Sequence, residues 1–107
     1  MLTTIYKALS HPDRRRILAL LREKPLLSGE LAEQFEMSWP SLSRHLALLK
    51  EADLIGSERQ GTKILYRVNT SVVEDAAASL LALVNPAAGP GDDTETETQD
   101  STEEPKS

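Results

Sequence analysis

Fifteen residues, Ser38 to Ala52, constrain the fold of this 107-residue chain more than any others. Ser38 is a good helix N-cap, because its hydroxyl can accept from the free N–H groups of the first turn. Pro40 fits in that turn, where no intrahelical donor is needed. Leu42, Leu46 and Leu49 follow at i, i+4 and i+7 and make one apolar stripe. Trp39, Ser41, Ser43 and Arg44 lie off the stripe, clustered near the N-terminal half. The spacing predicts a helix that buries its leucines and leaves small polar groups and one arginine free. A recognition helix presents that kind of face, at that end, to base edges in a major groove.

The segments before it supply a scaffold. Residues 2–9 are amphipathic, with Leu2, Ile5 and Leu9 on one helical face and Tyr6 beside it. Ser10-His11-Pro12-Asp13 reads as a break and a restart, with Pro12 suited to a first turn. A second helix is expected to run to about Lys24, where Pro25 closes it. Its core side is Ile17, Leu18, Leu20 and Leu21. Its wet side is Arg14, Arg15, Arg16 and Arg22, read as a solvated face with Asp and Glu partners rather than a basic patch. Ser28 is expected to cap a third helix, Gly29 to Phe35, with Leu31, Ala32 and Phe35 inward, and Glu36-Met37-Ser38 to make a tight connection onward. Two short helices joined by about three residues form a helix-turn-helix pattern, although an ordinary helical hairpin in a bundle would look the same.

Residues 54–69 separate these two possibilities. Leu54–Arg59 and Lys63–Asn69 are extended runs, and in the second Ile64, Tyr66 and Val68 alternate with Leu65, Arg67 and Asn69, the period of a strand. Gln60-Gly61-Thr62 supplies the turn. A hairpin directly after the candidate recognition helix is a wing. Arg59, Gln60 and Lys63 fall at its tip, either to meet phosphates or a minor groove or simply to face water. A last helix is expected from Ser71, where Ser71 to Glu74 has the spacing of a capping box, to Pro86. Val72, Val73, Ala76, Ala77, Leu80, Leu81, Leu83 and Val84 offer more apolar surface than one stripe needs. That helix is either fully internal or pairs with a second copy of the chain, with Leu2, Ile5 and Leu9 nearby. The fold class expected is mainly α with a β-hairpin wing, a winged helix-turn-helix of five helices with the two strands between the fourth and fifth.

The formal net charge of −5, taken alone, argues against a nucleic-acid partner. Residues 1–85, however, hold eleven Lys/Arg against ten Asp/Glu, and residues 86–107 hold one against seven. The acidity is all in the tail, and the rest can carry a local basic face. The tail has no Leu, Ile, Val or aromatic residue and is expected to be disordered, either as a solubilising segment or as a competitor for the basic face. The expected division is therefore a DNA-binding and dimerisation domain over 1–85 and an acidic tail over 86–107.

The chain has no cysteine, which excludes disulfides and thiolate metal sites. Its two histidines, His11 and His45, are far apart in sequence with no partner in metal-ligand spacing, so no metal or cofactor is expected. No acid–base pair, activated nucleophile or phosphate loop is visible, which argues against an enzyme. No apolar run approaches the roughly 20 residues of a membrane span, and no signal-peptide pattern is present, so the expected location is the cytoplasm.

Several motifs stand in order: Leu9-Ser-His-Pro-Asp-Arg-Arg-Arg-Ile-Leu18, Gly29-Glu-Leu-Ala32, Ser38-Trp-Pro-Ser-Leu-Ser-Arg-His-Leu46, Leu49-Lys-Glu-Ala-Asp-Leu-Ile55 and Gly61-Thr-Lys-Ile-Leu-Tyr-Arg-Val-Asn69. Together they resemble the ArsR/SmtB family of bacterial winged-helix repressors, most nearly its autorepressor (SdpR-like) branch. The likeness covers roughly residues 2–85. It implies a homodimer paired through the first and last helices, bound to a pseudo-palindromic double-stranded DNA operator. It places base-reading side chains at Trp39, Pro40, Ser43 and Arg44, with Ser41 and His45 close by, and wing contacts at Arg59 to Lys63. The dimer contacts expected are Leu2, Ile5, Leu9, Val73, Ala77, Leu80, Leu81 and Val84. Trp39 either packs on the sugar-phosphate wall or contacts a thymine methyl, or else is a partial core residue against Phe35, and His45 is either a phosphate donor or a structural residue. Three departures matter. The cysteines of many members are absent, the last helix offers only Glu74 and Asp75 toward a metal, and Asp53 stands at the end of the central helix where many members have Gly, a left-handed position that Asp tolerates better than most residues. The fold is implied without the family's thiolate or zinc chemistry. An unknown protein or small-molecule effector, or a winged-helix interaction module with little intrinsic DNA binding, stays open as an alternative.

Overall fold

Asp53 fixes where the central helix stops, and with it the start of the sheet. In the computed structural model, which describes residues 2–88, Asp53 adopts φ 60°. Its N–H donates to the Lys50 carbonyl at 2.9 Å, and the Leu54 N–H donates to the Leu49 carbonyl at 3.0 Å. This is the paired hydrogen-bond pattern of a Schellman stop. Leu49 and Leu54, both fully buried, hold the two positions of its accompanying apolar contact. The left-handed residue that the sequence places at Asp53 is therefore present. A β-branched side chain tolerates that region poorly, so Asp53→Val should cost about 1–3 kcal/mol of stability, measured by urea denaturation.

The described residues fall into two units that divide after Val73. The first holds α1 (Leu2–Leu9), α2 (Pro12–Glu23), β1 (Leu26–Leu27), α3 (Ser28–Ala32), α4 (Trp39–Glu51), β2 (Ile55–Gln60) and β3 (Lys63–Val68). Helix α5 (Thr70–Leu81) begins in the first unit and continues into the second, where residues 86–88 form one 3-10 turn. The expected acidic tail otherwise lies outside the described residues.

Helix α2 is capped by His11, whose Nδ1 accepts from the Asp13 N–H at 3.1 Å, with Pro12 opening the first turn. Helix α4 is capped by Ser38, whose hydroxyl accepts from the Ser41 N–H at 3.4 Å, again with a proline in the first turn. Ile17 and Leu21 of α2, Leu31 of α3, Leu42, Leu46 and Leu49 of α4, and Leu54 form the fully buried aliphatic core. Removing one of these side chains to Ala would carry the usual large-to-small cost of about 2–5 kcal/mol.

The sheet has three strands, ordered β1-β3-β2 and antiparallel throughout. Gln60 pairs with Lys63, so the hairpin loop is the two residues Gly61 and Thr62. Gly61 has φ 66°, the positive value that tight hairpin loops need at their first central position. The strand expected at Leu54–Arg59 begins one residue later, because the Leu54 N–H is committed to the helix stop. Strand β1 adds to the expected pair. It is two residues long, pairing Leu26 with Tyr66 and Leu27 with Leu65, too short to show a period.

Four helix boundaries correct the expectations. Helix α3 starts at Ser28 and is capped at Leu27, where the Glu30 carboxylate accepts from the Leu27 N–H at 2.8 Å. It ends at Ala32, and tighter turns (Gln34 N–H to Leu31 O, Phe35 N–H to Ala32 O) carry the chain on, so the connection to α4 is longer than three residues. Helix α5 begins at Thr70, and the Ser71 hydroxyl donates to the Asn69 side-chain oxygen at 3.1 Å instead of closing a capping box. It ends at Leu81, ahead of Pro86.

Candidate nucleic-acid interface

Burial of Leu42, Leu46 and Leu49 rotates the opposite face of α4 outward. Trp39, Pro40 and Arg44 are exposed, and Ser41, Ser43 and His45 are half-buried. Trp39 retains 45% of its surface, while the face of Phe35 is occupied by the Arg16 guanidinium, 4.8 Å from the ring centre. Trp39 is therefore not buried in the core, and close to half of its surface is open to a partner. The Ser41 hydroxyl accepts from that of Ser38 at 3.2 Å, so it is held at the cap. Arg44 forms no ion pair among the described residues. A free guanidinium on a helix anchored by its opposite face is a suitable donor for a base edge or a phosphate.

At the wing tip Arg59, Gln60 and Lys63 are exposed. The Arg59 guanidinium folds back on the Gly61 carbonyl at 3.4 Å. Arg67, nearer the base of the hairpin, pairs across the strands with Glu58 at 2.8 Å. That exposed pair is worth at most about 1 kcal/mol and offers less free charge than Lys63.

The arginine run divides in a way the sequence does not show. Arg14, expected on the wet side, is buried at 8% exposure. Its Nε donates to the Ala8 carbonyl at 2.7 Å, its Nη2 to the Lys7 carbonyl at 3.1 Å, and its Nη1 meets His45 Nδ1 at 3.1 Å. The carbonyls belong to the last turn of α1, where helix carbonyls lack intrahelical partners and carry negative partial charge. Arg15 donates to the Leu9 carbonyl at 2.7 Å and Arg16 stacks on Phe35. Among the described residues Arg14, Arg15 and Arg16 lack the acidic partners expected of them, and Arg22 pairs with Glu23 at 2.9 Å.

His11 and His45 are not isolated either. Their ring centres are 4.6 Å apart, tilted by 51°. With Asp13 they place one potential metal-ligand atom each within 4.8 Å of one another. The hydrogen bonds decide what this group can do. Arginine has no acceptor, so His45 Nδ1 must accept from Arg14; the backbone N–H of Asp13 likewise makes His11 Nδ1 an acceptor. In a neutral imidazole the proton then sits on Nε2, and neither ring keeps a free lone pair for a metal. The arrangement does not fit a cation. Burial first, then the positive charge of His11 and Arg14, lower the His45 pKa, with Arg44 adding to this and Asp13 opposing it. Residues 11, 14 and 45 are joined only by the tertiary fold, and no spacing in the chain signals it.

Of the expected dimer contacts, Leu2, Ala77, Leu80, Leu81 and Val84 are exposed and Leu9 and Val73 half-buried. Ile5, at 5% exposure, is core within its own chain.

Among the described residues, five α-helices with a hairpin following an outward-facing fourth helix have the layout of a winged helix-turn-helix protein. The chain matches the helix-turn-helix domain family over residues 9–57. It is 40% identical over 84 residues to the transcriptional repressor SdpR of Bacillus subtilis strain 168, covering 78% of this chain and 93% of that one. It is 35% identical over 79 residues to the arsenical resistance operon repressor of Staphylococcus aureus, covering 74% and 76%. An ArsR-like transcriptional regulator from Rhodococcus sp. RHA1 superposes with a TM-score of 0.73 at 26% identity, over 80% of this chain and 79% of that one. The chain belongs to the ArsR/SmtB family of winged-helix transcriptional repressors. It is a DNA-binding regulator and not an enzyme, and none of its described helices is long and apolar enough to cross a membrane.

Proposed function

We propose that the chain works as a cytoplasmic homodimer that represses transcription, including that of its own gene, by occupying a pseudo-palindromic operator. The observation that carries the DNA contact is the outward face of α4, where Arg44 and Trp39 are exposed while the helix is held by three buried leucines. In a two-fold dimer the two copies of α4 enter successive major grooves about 34–36 Å apart. Arg44 reads a guanine edge, Ser43 and the helix start allow close approach, Trp39 lies on the sugar-phosphate wall, and Lys63, with Arg59 and Gln60, meets the backbone from the wing. Repression is the activity named for the Bacillus relative. Control of an arsenical resistance operon, named for the staphylococcal one, is not carried over, because this chain has no cysteine to hold arsenic as a thiolate.

Fluorescence anisotropy against the protein's own promoter region and a scrambled duplex of equal length, at two salt concentrations, tests this. Preference for the promoter supports autorepression. Equal, salt-steep binding to both places the operator elsewhere, and no binding to either returns the chain to an interaction module. Lys63→Ala should weaken binding to every sequence alike, each protomer lowering the slope of log K against log salt by about one. A change confined to one sequence would make Lys63 a base reader.

A further inference from the structure

We infer that the Arg14–His45 hydrogen bond is the positioning contact that sets α4 against α1 and α2, and that protonation of His45 releases it. The inference concerns the seating of α4; its consequence for DNA rests on the proposed repressor function.

One buried guanidinium serves three elements. It belongs to α2, closes the carbonyls of Lys7 and Ala8 at the end of α1, and reaches His45 on α4. His45 lies one residue from Arg44 and directly before the buried Leu46. On this inference, release of the ring changes how that exposed face, anchored from the other side by Leu42, Leu46 and Leu49, sits against α1 and α2. The bond exists only while His45 Nδ1 is unprotonated. A proton there sets N–H against N–H and cation against cation at 3.1 Å.

The groups that act on His45 are the His11 ring and the Asp13 carboxylate at the start of α2, Arg14 of α2, and Arg44 of its own helix. What α1 presents here is the pair of backbone carbonyls already bound to Arg14. Asp13 alone favours the imidazolium. Burial and the positive neighbours favour the neutral ring and hold its pKa below the ordinary histidine value. The unfolded chain, with its histidine near about 6.5, takes up the proton first as pH falls. The contribution of His45 to stability is thus complete above the unfolded value and is lost as pH falls from there through the folded value.

Ring-detected nitrogen-15 NMR on the full chain, titrated from about pH 8 to about pH 5, resolves His45 from His11 and reads both tautomer and midpoint. The expected result is an Nε2–H tautomer for His45 at the upper end, a midpoint below that of a free histidine, and backbone amides of Trp39–Glu51 that shift with that midpoint. His45→Asn places an acceptor where Nδ1 stood and cannot titrate. It should keep the neutral α4 spectrum, lose the His45-linked shifts, and lose less melting temperature than wild type over the same pH drop. Arg14→Lys, which cannot span all three partners, should raise the His45 midpoint and populate both tautomers. An Nδ1–H tautomer in wild type, or α4 shifts equally large in His45→Asn, overturns the inference, and His45→Asn decides it even if Arg14→Lys fails to fold. Promoter preference that falls with pH in wild type but not in His45→Asn carries it through to DNA. If neither protein prefers the promoter at any pH, the proposed autorepression fails while the NMR result stands.

Discussion

Leu80→Glu should convert the protein from dimer to monomer while leaving its helical content intact. Leu80 keeps 45% of its surface exposed on α5, followed by Leu81 at 54%. An apolar run of that kind on a helix end is covered in a working soluble protein, and a second copy is the economical cover. In a two-fold interface the substitution occurs twice, and covering the remaining 45% of each leucine is worth close to half the full-burial value of about 1.5–3 kcal/mol. The dissociation constant should then rise by roughly one to two orders of magnitude, before the cost of confronting two carboxylates is counted. Sedimentation velocity reads the association state and far-ultraviolet circular dichroism the fold. Operator affinity should collapse in parallel, since a monomer holds one half-site. A wild-type chain that is already monomeric at micromolar concentration would remove the basis for the interface.

The second large effect belongs to Arg44→Ala. Arg44 is exposed and without an ion pair among the described residues, so its removal leaves the fold alone. A bidentate arginine–guanine contact discriminates by about 1–3 kcal/mol. With one contact in each half-site, operator affinity should fall by roughly 30-fold to ten-thousand-fold. The sequence preference should relax at one position per half-site, read by titrating duplexes substituted at each base pair. Uniform weakening across all of them would reassign Arg44 to a phosphate.

The parts of this molecule that are legible in its sequence are those governed by local rules. Ser38 and Pro40 announce the start of α4, the leucine spacing its buried side, Asp53 its left-handed end, and Gly61 the hairpin turn. Arg14 shows where such rules stop. It lies among three consecutive arginines on the edge of an apolar stripe, and nothing local distinguishes it from Arg15 and Arg16. What selects it is the position of two carbonyls on another helix and of a ring 31 residues away. The same holds for β1, whose two residues are a strand only because Leu65 and Tyr66 offer them a partner. Helix α3 departs from its local signals for a related reason. Its cap is a carboxylate reaching back to Leu27, a residue that itself belongs to the sheet.

That third strand also sets the mechanics of the wing. It grips β3 only at Leu65 and Tyr66, while Lys63 and Ile64 are paired on the β2 side alone. The hairpin is therefore a cantilever, clamped at its root and compliant over its outer rungs. On the proposed DNA contact, that places Lys63 and Arg59 on the less constrained part of the hairpin, where they can adjust to a backbone whose groove width varies from one duplex sequence to another. The helix would then set register and the wing accommodate, a division of labour built from a strand of two residues.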